Sequence, residues 1–419
     1  MNITQRFDRY LEHLSAGLGH ADRYAGLRDY CTGLMLPLSR KNVRPMAAQI
    51  DPLRISARHQ ALHHFVAKAR WSDTEMLRRV AQWVVPQMDL RAGGWWIVGD
   101  TSFPKQGSHS VGVAPQYCKQ LGKRANCQVA VSISLATDQG SLPVAWQLYL
   151  PEDWAHDPAR RAKAGIPEPV RFSTKTQIAL QQLRRLRAEG APCYCVLADS
   201  DCGVNDAFRQ ALDDMGLPYM VGAASDTAVR PHNTGLLRPK AQRGNGRNGR
   251  SPAVPQRSAA YPPISARTLA MALPPQAFHS VTWREDDRAP QRGRFAAVRV
   301  GRADGNVGKT RLPNEQWLLV EWPSHETEPD RYWLSTLDKD TSLQKLVHAA
   351  HLCWRIERDH QDLQRNFGLD HYEGRNWQGF HHHAVLSVAA YGFMMAERLI
   401  AGNPKRTNMP RPKPLACSR

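Results

Sequence analysis

The chain has 419 residues, of which 42% are hydrophobic, so it is long enough for two or three domains with buried cores. Its 56 Lys and Arg against 38 Asp and Glu give a formal net charge of +18, which indicates a polyanionic partner such as nucleic acid or an anionic membrane. The opening "MNITQRFDRYLEHL" lacks the apolar core of a signal peptide, and no apolar run is long enough to span a bilayer. Membrane insertion is therefore disfavoured. The eight scattered Cys include no pair of CxxC motifs, which disfavours a zinc ribbon.

Residues 1–90 are predicted to be helical. The segment "ADRYAGLRDYCTGLML" has apolar residues at helical spacing. In "WSDTEMLRRVAQWVV", Ser72 precedes Glu75 by three residues, which predicts a capping box at the start of another helix.

Residues 91–225 change to a pattern of strands followed by strand–helix–strand units. Strands are predicted at "GGWWIVGD", "CQVAVSISLAT" and "LPVAWQLYL", with a turn at "DQGS". A helix at "STKTQIALQQLRRLRAEG", a strand at "CYCVLAD", a helix at "NDAFRQALDDMG" and a strand at "PYMVGA" follow. This order predicts a mixed α/β sheet.

Residues 226–338 interrupt the α/β pattern. The stretch from Ala228 to Tyr261 has seven Lys and Arg and no acid, which predicts a flexible basic loop. The runs "RFAAVRV", "EQWLLVEWP" and "RYWLSTL" then predict an inserted β subdomain. Helical spacing returns in residues 339–402, and the basic, Pro-rich tail 403–419 is predicted to be disordered.

Three acids are candidates for chemistry. Asp100 and Asp199 are each predicted to end an apolar strand, where a side chain can point into the ligand crevice of an α/β sheet. The alternative for either is an Asp that caps the following turn. Glu357 lies on a predicted helix beside Trp354 and Ile356, and its alternative is an ion pair with Lys or Arg on an exposed helix. Carboxylates in a basic chain suit Mg²⁺, and a pair of such ions can promote phosphodiester cleavage.

Several segments resemble the DDE transposases of bacterial insertion sequences: "DTSFPKQGSHSVGVAPQYC", "LGKRANCQVAVSISLA", "LPVAWQLYLPEDW", "VLAD" and "WRIERDHQDLQRNFGLDHYEGRNWQGFHHH". The resemblance covers nearly the whole chain. It implies an RNase H-like catalytic core with the inserted β subdomain, preceded by a helical N-terminal domain that binds DNA. It also implies that Asp100, Asp199 and Glu357 are the catalytic triad and bind two Mg²⁺ ions, for which Mn²⁺ can substitute.

The resemblance also implies partners and a location. The expected substrates are double-stranded DNA with the terminal inverted repeats of the element, and target DNA. We expect a homodimer in the DNA complex, in the bacterial cytoplasm and associated with the nucleoid.

Further candidates concern DNA contacts. Cations near the triad are candidates for phosphate contacts, with plain solubilising charge as the alternative; they are Lys105, Lys119, Lys123, Arg124, Arg355, Arg358 and Arg365. Trp322, in the β insertion, is a candidate for holding a flipped base, with core packing as the alternative. The run "HHH" at 381–383 is a poor metal site, because consecutive helical residues point in different directions.

This chain departs from the family pattern near each acid. Gly99 replaces a second acid before the first motif's Thr, and the second motif continues as "DSDCG". Cys353 replaces an Arg, and Gln364 replaces a Lys; on one continuous helix both would share a face with Glu357. Loss of two phosphate-binding cations supports an alternative, a catalytically inactive transposase-derived DNA-binding protein. A stand-alone metal-dependent nuclease is a third hypothesis.

Overall fold

The computed structural model describes residues 2–91, 93–231, 236–237, 256–257, 263–284, 291–303 and 315–402. Most of the predicted basic loop and the whole tail 403–419 lie outside the described residues. The chain divides into two compact units, one formed by residues 1–194 with 354–419 and the other by residues 195–353. Within the described ranges, no helix combines the length and the apolarity that a bilayer span requires.

The first unit begins with helices α1 Ile3–Ser15, α2 Arg23–Met35, α3 Val43–Ile50, α4 Ile55–Ala67 and α5 Asp73–Val84. The predicted start of α5 is correct, since the Ser72 hydroxyl accepts a hydrogen bond from the Glu75 amide. The predicted capping box is only half formed. The Glu75 carboxylate pairs with Arg78 and Arg79 instead.

Helix α14, Trp377–Ile400, is the central element of this unit. It is buried along most of its length, because the N-terminal helices pack against it. The Tyr10 hydroxyl of α1 donates to the Ala389 carbonyl at 2.9 Å. Arg6 forms an ion pair with Glu397 near the end of α14. The helical region therefore shares one hydrophobic core with a segment that follows it by almost 300 residues.

The strands of this unit are β1 Trp95–Pro104, β2 Ala114–Cys118, β3 Lys123–Thr137 and β4 Gly140–Leu148. Strand β3 is antiparallel to the other three. The expectation that Asp100 ends its strand is wrong. Asp100 pairs with Val131 inside β1, and the ladder continues to Pro104 opposite Cys127. The strand continues because the polar side chains after Asp100 also find hydrogen-bond partners, as described below.

The remaining helices of the first unit are α6 Glu152–Ala155, α7 Pro158–Ala164, α8 Lys175–Ala188 and α13 Trp354–Phe367. Helix α8 has a complete capping box between Thr174 and Gln177. The helix is followed by Gly190, which has a φ of 72°, a left-handed conformation that favours glycine after a helix end.

The second unit contains a parallel strand pair, β5 Cys195–Ala198 and β6 Tyr219–Ala223. Short helices α9 Ser200–Gly203 and α10 Asp206–Asp214 connect them. The later strands of the unit are β7 Ala228–Pro231, β8 Leu236–Leu237, β9 Gln256–Arg257, β10 Ile264–Ser265, β11 His279–Arg284, β12 Gln291–Arg302, β13 Glu315–Glu321 and β14 Arg331–Ser335. Its other helices are α11 Ala266–Met271 and α12 Leu343–His351.

The β-rich insertion extends the sheet that contains β6. Strand β14 is antiparallel to β6, and β13 and β12 follow in antiparallel order. The first unit contains antiparallel strands, and the second contains a parallel pair beside antiparallel strands. The predicted mixed α/β class is confirmed.

The expected continuous helix through Cys353 and Glu357 is wrong. Helix α12 ends at His351, and α13 begins at Trp354 after a turn. The Leu352 amide bonds to the Ala349 carbonyl, three residues back, which tightens the last turn of α12. Cys353 therefore precedes the helix that carries Glu357.

Candidate active site

Asp100 lies in β1 with most of its side chain buried. Its Oδ1 is 2.5 Å from the Lys119 Nζ, and its Oδ2 accepts a hydrogen bond from the Lys175 Nζ at 2.6 Å. Burial alone would raise the pKa of this carboxyl, but the two ammonium groups outweigh burial and hold the pKa below its usual value. Asp100 is therefore an ionised carboxylate, neutralised by two cations from different elements.

Helix α13 packs across β1 at the position of Asp100. The Ile356 side chain covers Gly99, so that a Cβ added to Gly99 would lie 3.0 Å from the Ile356 Cδ1. Two turns later, the Gln364 side-chain amide donates to the Thr101 hydroxyl at 3.2 Å. The helix thus contacts the residues on both sides of Asp100. This contact also gives a physical reason for glycine at position 99, where the family usually has an acid.

A buried polar layer fixes the same helix to the neighbouring strands. The Ser134, Ser141 and Tyr391 hydroxyls donate to the Asp359 carboxylate at 2.6–2.8 Å. Burial raises the pKa of Asp359 to about 6, although these hydrogen bonds oppose the rise. His360 lies beside Ser132, with Nε2 and Oγ 2.8 Å apart. Because each of these groups is paired at short distance, the helix has a defined register against β3 and β4.

Glu357 lies in the first turn of α13 and is exposed. Its neighbour Ile356 contacts Gly99, and Gln364 on the same face contacts Thr101. Among the described residues, the Glu357 side chain has no hydrogen-bond or ion-pair partner. The ion pair that was the alternative role for Glu357 is therefore not among the described contacts. Its carboxylate is accessible to a ligand.

Asp199 belongs to the second unit, where it directly follows β5 and occupies the N-cap position of α9. Its side chain is exposed and forms no capping hydrogen bond. The turn after it is tightly packed: a Cβ on Gly203 would lie 1.9 Å from the Gly222 carbonyl oxygen, and one on Gly222 would lie 2.6 Å from the Ser200 amide nitrogen. These two glycines allow the backbone contact that fixes the residue after the strand.

The donor chemistry of these residues fits a hard divalent cation. Asp100 and Glu357 offer carboxylate oxygens, the ligands that Mg²⁺ prefers, and Asp100 is ionised. Within the described part of the chain, however, no three His, Cys, Asp or Glu side chains gather as a ready-made metal site. Both oxygens of Asp100 face ammonium groups, so a cation would have to replace them.

The cations that follow Asp100 in sequence have different environments. Lys119 contacts Asp100, as described. Lys105 is half-buried and donates to the Tyr372 carbonyl at 2.9 Å, and burial lowers its pKa. Lys123 and Arg124 are exposed at the start of β3. Lys105 therefore has a structural partner, whereas Lys123 and Arg124 face solvent.

The arginines of α13 also differ. Arg355 donates to the Asp138 carbonyl at 2.6 Å, and Arg358 lies 3.5 Å from the Asp362 carboxylate. Arg365 is exposed. Arg355 and Arg358 line a cavity of about 180 Å³ together with Arg398.

Trp322, in the second unit, is half-buried and packs edge-on against Phe278 with ring centroids 5.3 Å apart. Its indole N–H donates to the Glu326 carbonyl at 3.1 Å.

The three consecutive histidines of α14 are buried structural links. His381 Nε2 accepts from the Leu148 amide, and His382 stacks on Trp71 with ring centroids 3.5 Å apart. His383 lies between the Tyr30 hydroxyl and the Gly368 carbonyl, at 2.9 and 2.8 Å. Each ring contacts a different element, as expected for neighbouring positions on a helix.

Lys175 is the main site residue that sequence reasoning missed. It lies 75 residues after Asp100, at the first position of α8. The sequence around Lys175 contains the Thr174–Gln177 capping box, which indicates a helix start. That motif does not indicate that Lys175 contacts Asp100. The Gln364–Thr101 hydrogen bond was equally hidden, because it joins residues from opposite ends of the unit.

Comparisons with known proteins extend this description. A family model described as DDE superfamily endonuclease matches residues 13–290, a range that includes Asp100 and Asp199 and ends before Glu357. A protein described as a probable transposase for insertion sequence element IS701, from Microchaete diplosiphon, is 31% identical over 198 residues. That alignment covers 47% of this chain and 48% of the relative, so the chain spans about half the length of the curated relative it matches.

Among solved structures, a cryo-EM structure of the piggyBac transposase synaptic complex with hairpin DNA is similar at 10% identity and a TM-score of 0.38. The structural alignment covers 98% of this chain and 64% of the piggyBac transposase chain. The family model spans more than half of the present sequence and includes the strand that carries Asp100. This chain therefore belongs to the DDE superfamily endonucleases.

Proposed function

We propose that this chain is an insertion-sequence transposase that cleaves DNA at the ends of its element and joins the freed ends to target DNA. The observation that carries this proposal is the packing of α13, the helix of Glu357, across β1 at Asp100. Two carboxylate-bearing elements, distant in sequence, thereby meet inside one compact unit. Membership of the DDE endonuclease family supports the reaction class.

Asp100, Asp199 and Glu357 are the proposed ligands of two Mg²⁺ ions, with Mn²⁺ as a substitute. When bound, such ions would supply Lewis-acid stabilisation of the attacked phosphodiester and of the leaving oxygen. The chain itself contributes an ionised, mostly buried Asp100 and an accessible Glu357. The Asp359 layer holds α13 in register, so that the position of Glu357 is fixed by packing.

The hairpin formed by β2 and β3 is the proposed DNA contact nearest to Asp100. From Thr101 to Thr137 the chain has four Lys and Arg and no acid. Lys123 and Arg124 are exposed on this hairpin, and so is Tyr117, with 58% of its surface accessible. An aromatic ring among cations suits a base and its phosphates. Further proposed contacts are Lys119, Arg355, Arg358, Arg365 and Trp322, whereas Lys105 has a structural partner in the Tyr372 carbonyl.

The helical region 1–90 is proposed to recognise the terminal inverted repeats, and the DNA complex is proposed to contain a homodimer. Two element ends must meet before strand transfer, and a twofold-symmetric dimer presents two equivalent sites.

The test is strand cleavage, with Mg²⁺ or Mn²⁺, of a labelled duplex that carries the inverted repeats flanking this gene. A duplex with scrambled ends is the control substrate. Cleavage only at the true end, lost in Glu357→Ala, is the expected result. Equal cleavage of both duplexes would instead indicate a stand-alone nuclease. Binding of the true end without cleavage would indicate a transposase-derived DNA-binding protein.

A further inference from the structure

The two ammonium groups on Asp100 come from separate elements and reach it from the solvent side. Lys119 lies in the short turn between β2 and β3, and Lys175 lies at the start of α8. The two lysine side chains are 42% and 41% exposed, whereas that of Asp100 is 11% exposed. Each ammonium group forms an ion pair with a different oxygen of the Asp100 carboxylate. The accessible side of the carboxylate is therefore already occupied by positive charge.

A divalent cation and these ammonium groups require the same oxygens. A cation at bonding distance from Asp100 would also lie within a few ångströms of both ammonium groups, where like charges repel strongly. The two arrangements therefore exclude each other unless the lysine side chains move.

The lysine side chains can move without unfolding their elements. The start of α8 is held by the Thr174–Gln177 capping box, which does not involve the Lys175 side chain. The Lys119 turn is held by a hydrogen bond from the Gln120 amide to the Ser102 hydroxyl and by the left-handed Gly122. Exposed lysines have many rotamers available. Only the side chains need to change partner.

We propose that Lys119 and Lys175 form an exchangeable clamp, which neutralises Asp100 in the metal-free protein and transfers to DNA phosphates when a divalent cation binds. This inference rests on the proposed function. DNA provides the lysines with an alternative anion, so metal and DNA should each strengthen binding of the other. In the metal-free protein the two ammonium groups then oppose cation binding at Asp100 until DNA arrives.

The experiment measures Mn²⁺ binding to the full chain without DNA, from the electron paramagnetic resonance signal of free Mn²⁺. Lys119→Met and Lys175→Met each leave one lysine on Asp100, and each is expected to lower the apparent Kd by roughly threefold to tenfold. Lys163→Met, an exposed lysine of α7 in the same unit, is the matched control and should change the Kd less than twofold. Lys119→Arg retains the charge and should behave as the wild type.

A short duplex with the element end should tighten Mn²⁺ binding by the wild type. The same duplex should have little effect on the variant that carries both Lys119→Met and Lys175→Met. An unchanged or higher Kd in both single methionine variants, with melting temperatures near that of the wild type, would overturn the clamp. If the wild type and Asp100→Asn bind Mn²⁺ equally, the proposed metal site itself is wrong. If Asp100→Asn loses binding while the lysine variants match the wild type, only the clamp is wrong.

Discussion

The side-chain amide of Gln364 lies 3.2 Å from the hydroxyl of Thr101, so the helix of Glu357 is tied to the residue that follows Asp100. In the family that this chain resembles, a lysine occupies the position of Gln364. The geometry shows that a side chain at this position reaches the strand of the first acid. Where the resemblance implies a cation, this chain has a neutral hydrogen-bond donor.

Gln364→Lys should increase the rate of end cleavage by roughly tenfold, because an ammonium adds a charge-assisted phosphate contact. Initial rates on the labelled end duplex measure this effect. Gln364→Met, similar in length and uncharged, should not raise the rate. Cys353→Arg should have a smaller effect, because Cys353 precedes α13. If Gln364→Lys remains as slow as Gln364→Met, this position does not contact the phosphates.

Asp199→Ala should abolish cleavage and leave DNA binding nearly unchanged. Asp199 is exposed and directly follows β5, and the substitution removes a proposed metal ligand. Cleavage and gel-shift assays on the same protein separate the two effects. Asp201→Ala, an exposed acid in the same short helix, is the matched control. Joint loss of binding and cleavage in Asp199→Ala would remove this residue from the proposed triad.

Gly99→Ala should destabilise the protein by about 1 kcal/mol, because the new Cβ contacts Ile356 Cδ1. Ile356→Val removes that terminal carbon, so the double variant should recover part of the loss. A double-mutant cycle of urea unfolding measures the coupling. Additive effects of the two substitutions would show that α13 does not press on β1 at Gly99.

Lys105 and Lys123 should respond differently to substitution by Met. Lys123 is exposed, so its loss should weaken DNA binding and reduce the salt-dependence slope of log K by about 1. Lys105 donates to the Tyr372 carbonyl, so its loss should mainly lower the melting temperature. Filter binding at several salt concentrations and thermal melts measure both effects. A reduced salt slope for Lys105→Met would place that lysine on DNA as well.

Acid should destabilise the first unit through His383. Burial lowers the pKa of His383 to about 4, against 6.5 for the unperturbed side chain. The folded state therefore favours the neutral ring; its stabilising effect is complete above pH 6.5 and is lost as pH falls from 6.5 to 4. The loss is roughly 3 kcal/mol once the pH has fallen to 4.

Unfolding free energies between pH 7.5 and 4.5 test the His383 prediction. His383→Gln should be less stable at pH 7.5, because the Tyr30 hydroxyl and the Gly368 carbonyl lose their shared partner. It should also depend less on pH. His109→Gln, at an exposed position, should retain the wild-type curve. A wild-type pH dependence in His383→Gln would assign the acid sensitivity to other groups.

Local sequence patterns predicted the elements but not their junctions. Apolar runs such as "CQVAVSISLAT" and the Ser72 cap specify a strand and a helix start within a few residues, because those signals act locally. The end of β1 was misplaced at Asp100, since a polar residue inside a strand is stabilised by partners that the local sequence does not contain. The break at Leu352–Cys353 has no Pro or Gly to mark it.

The sequence predicted the site residues whose residue type alone indicates a chemical role. It did not predict residues that reach the site only through folding. Asp100 and Glu357 were identified as acids in motifs, and α13 packs against the strand of Asp100. Lys175 was not identified, because its contact with Asp100 depends on how α8 returns to the sheet. The roles of 381–383 also depend on packing, since each ring contacts a different part of the unit.

The two-segment composition of the first unit has a consequence for its synthesis. The ribosome makes residues 1–194 first, yet their hydrophobic partner α14 begins at Trp377. At typical elongation rates the intervening residues take on the order of 10–30 s to emerge. During that interval, the faces of α2, α5 and β4 that α14 contacts in the full chain lack this partner. We therefore expect a chain truncated before Trp377, which lacks α14, to leave these apolar faces exposed and to aggregate readily.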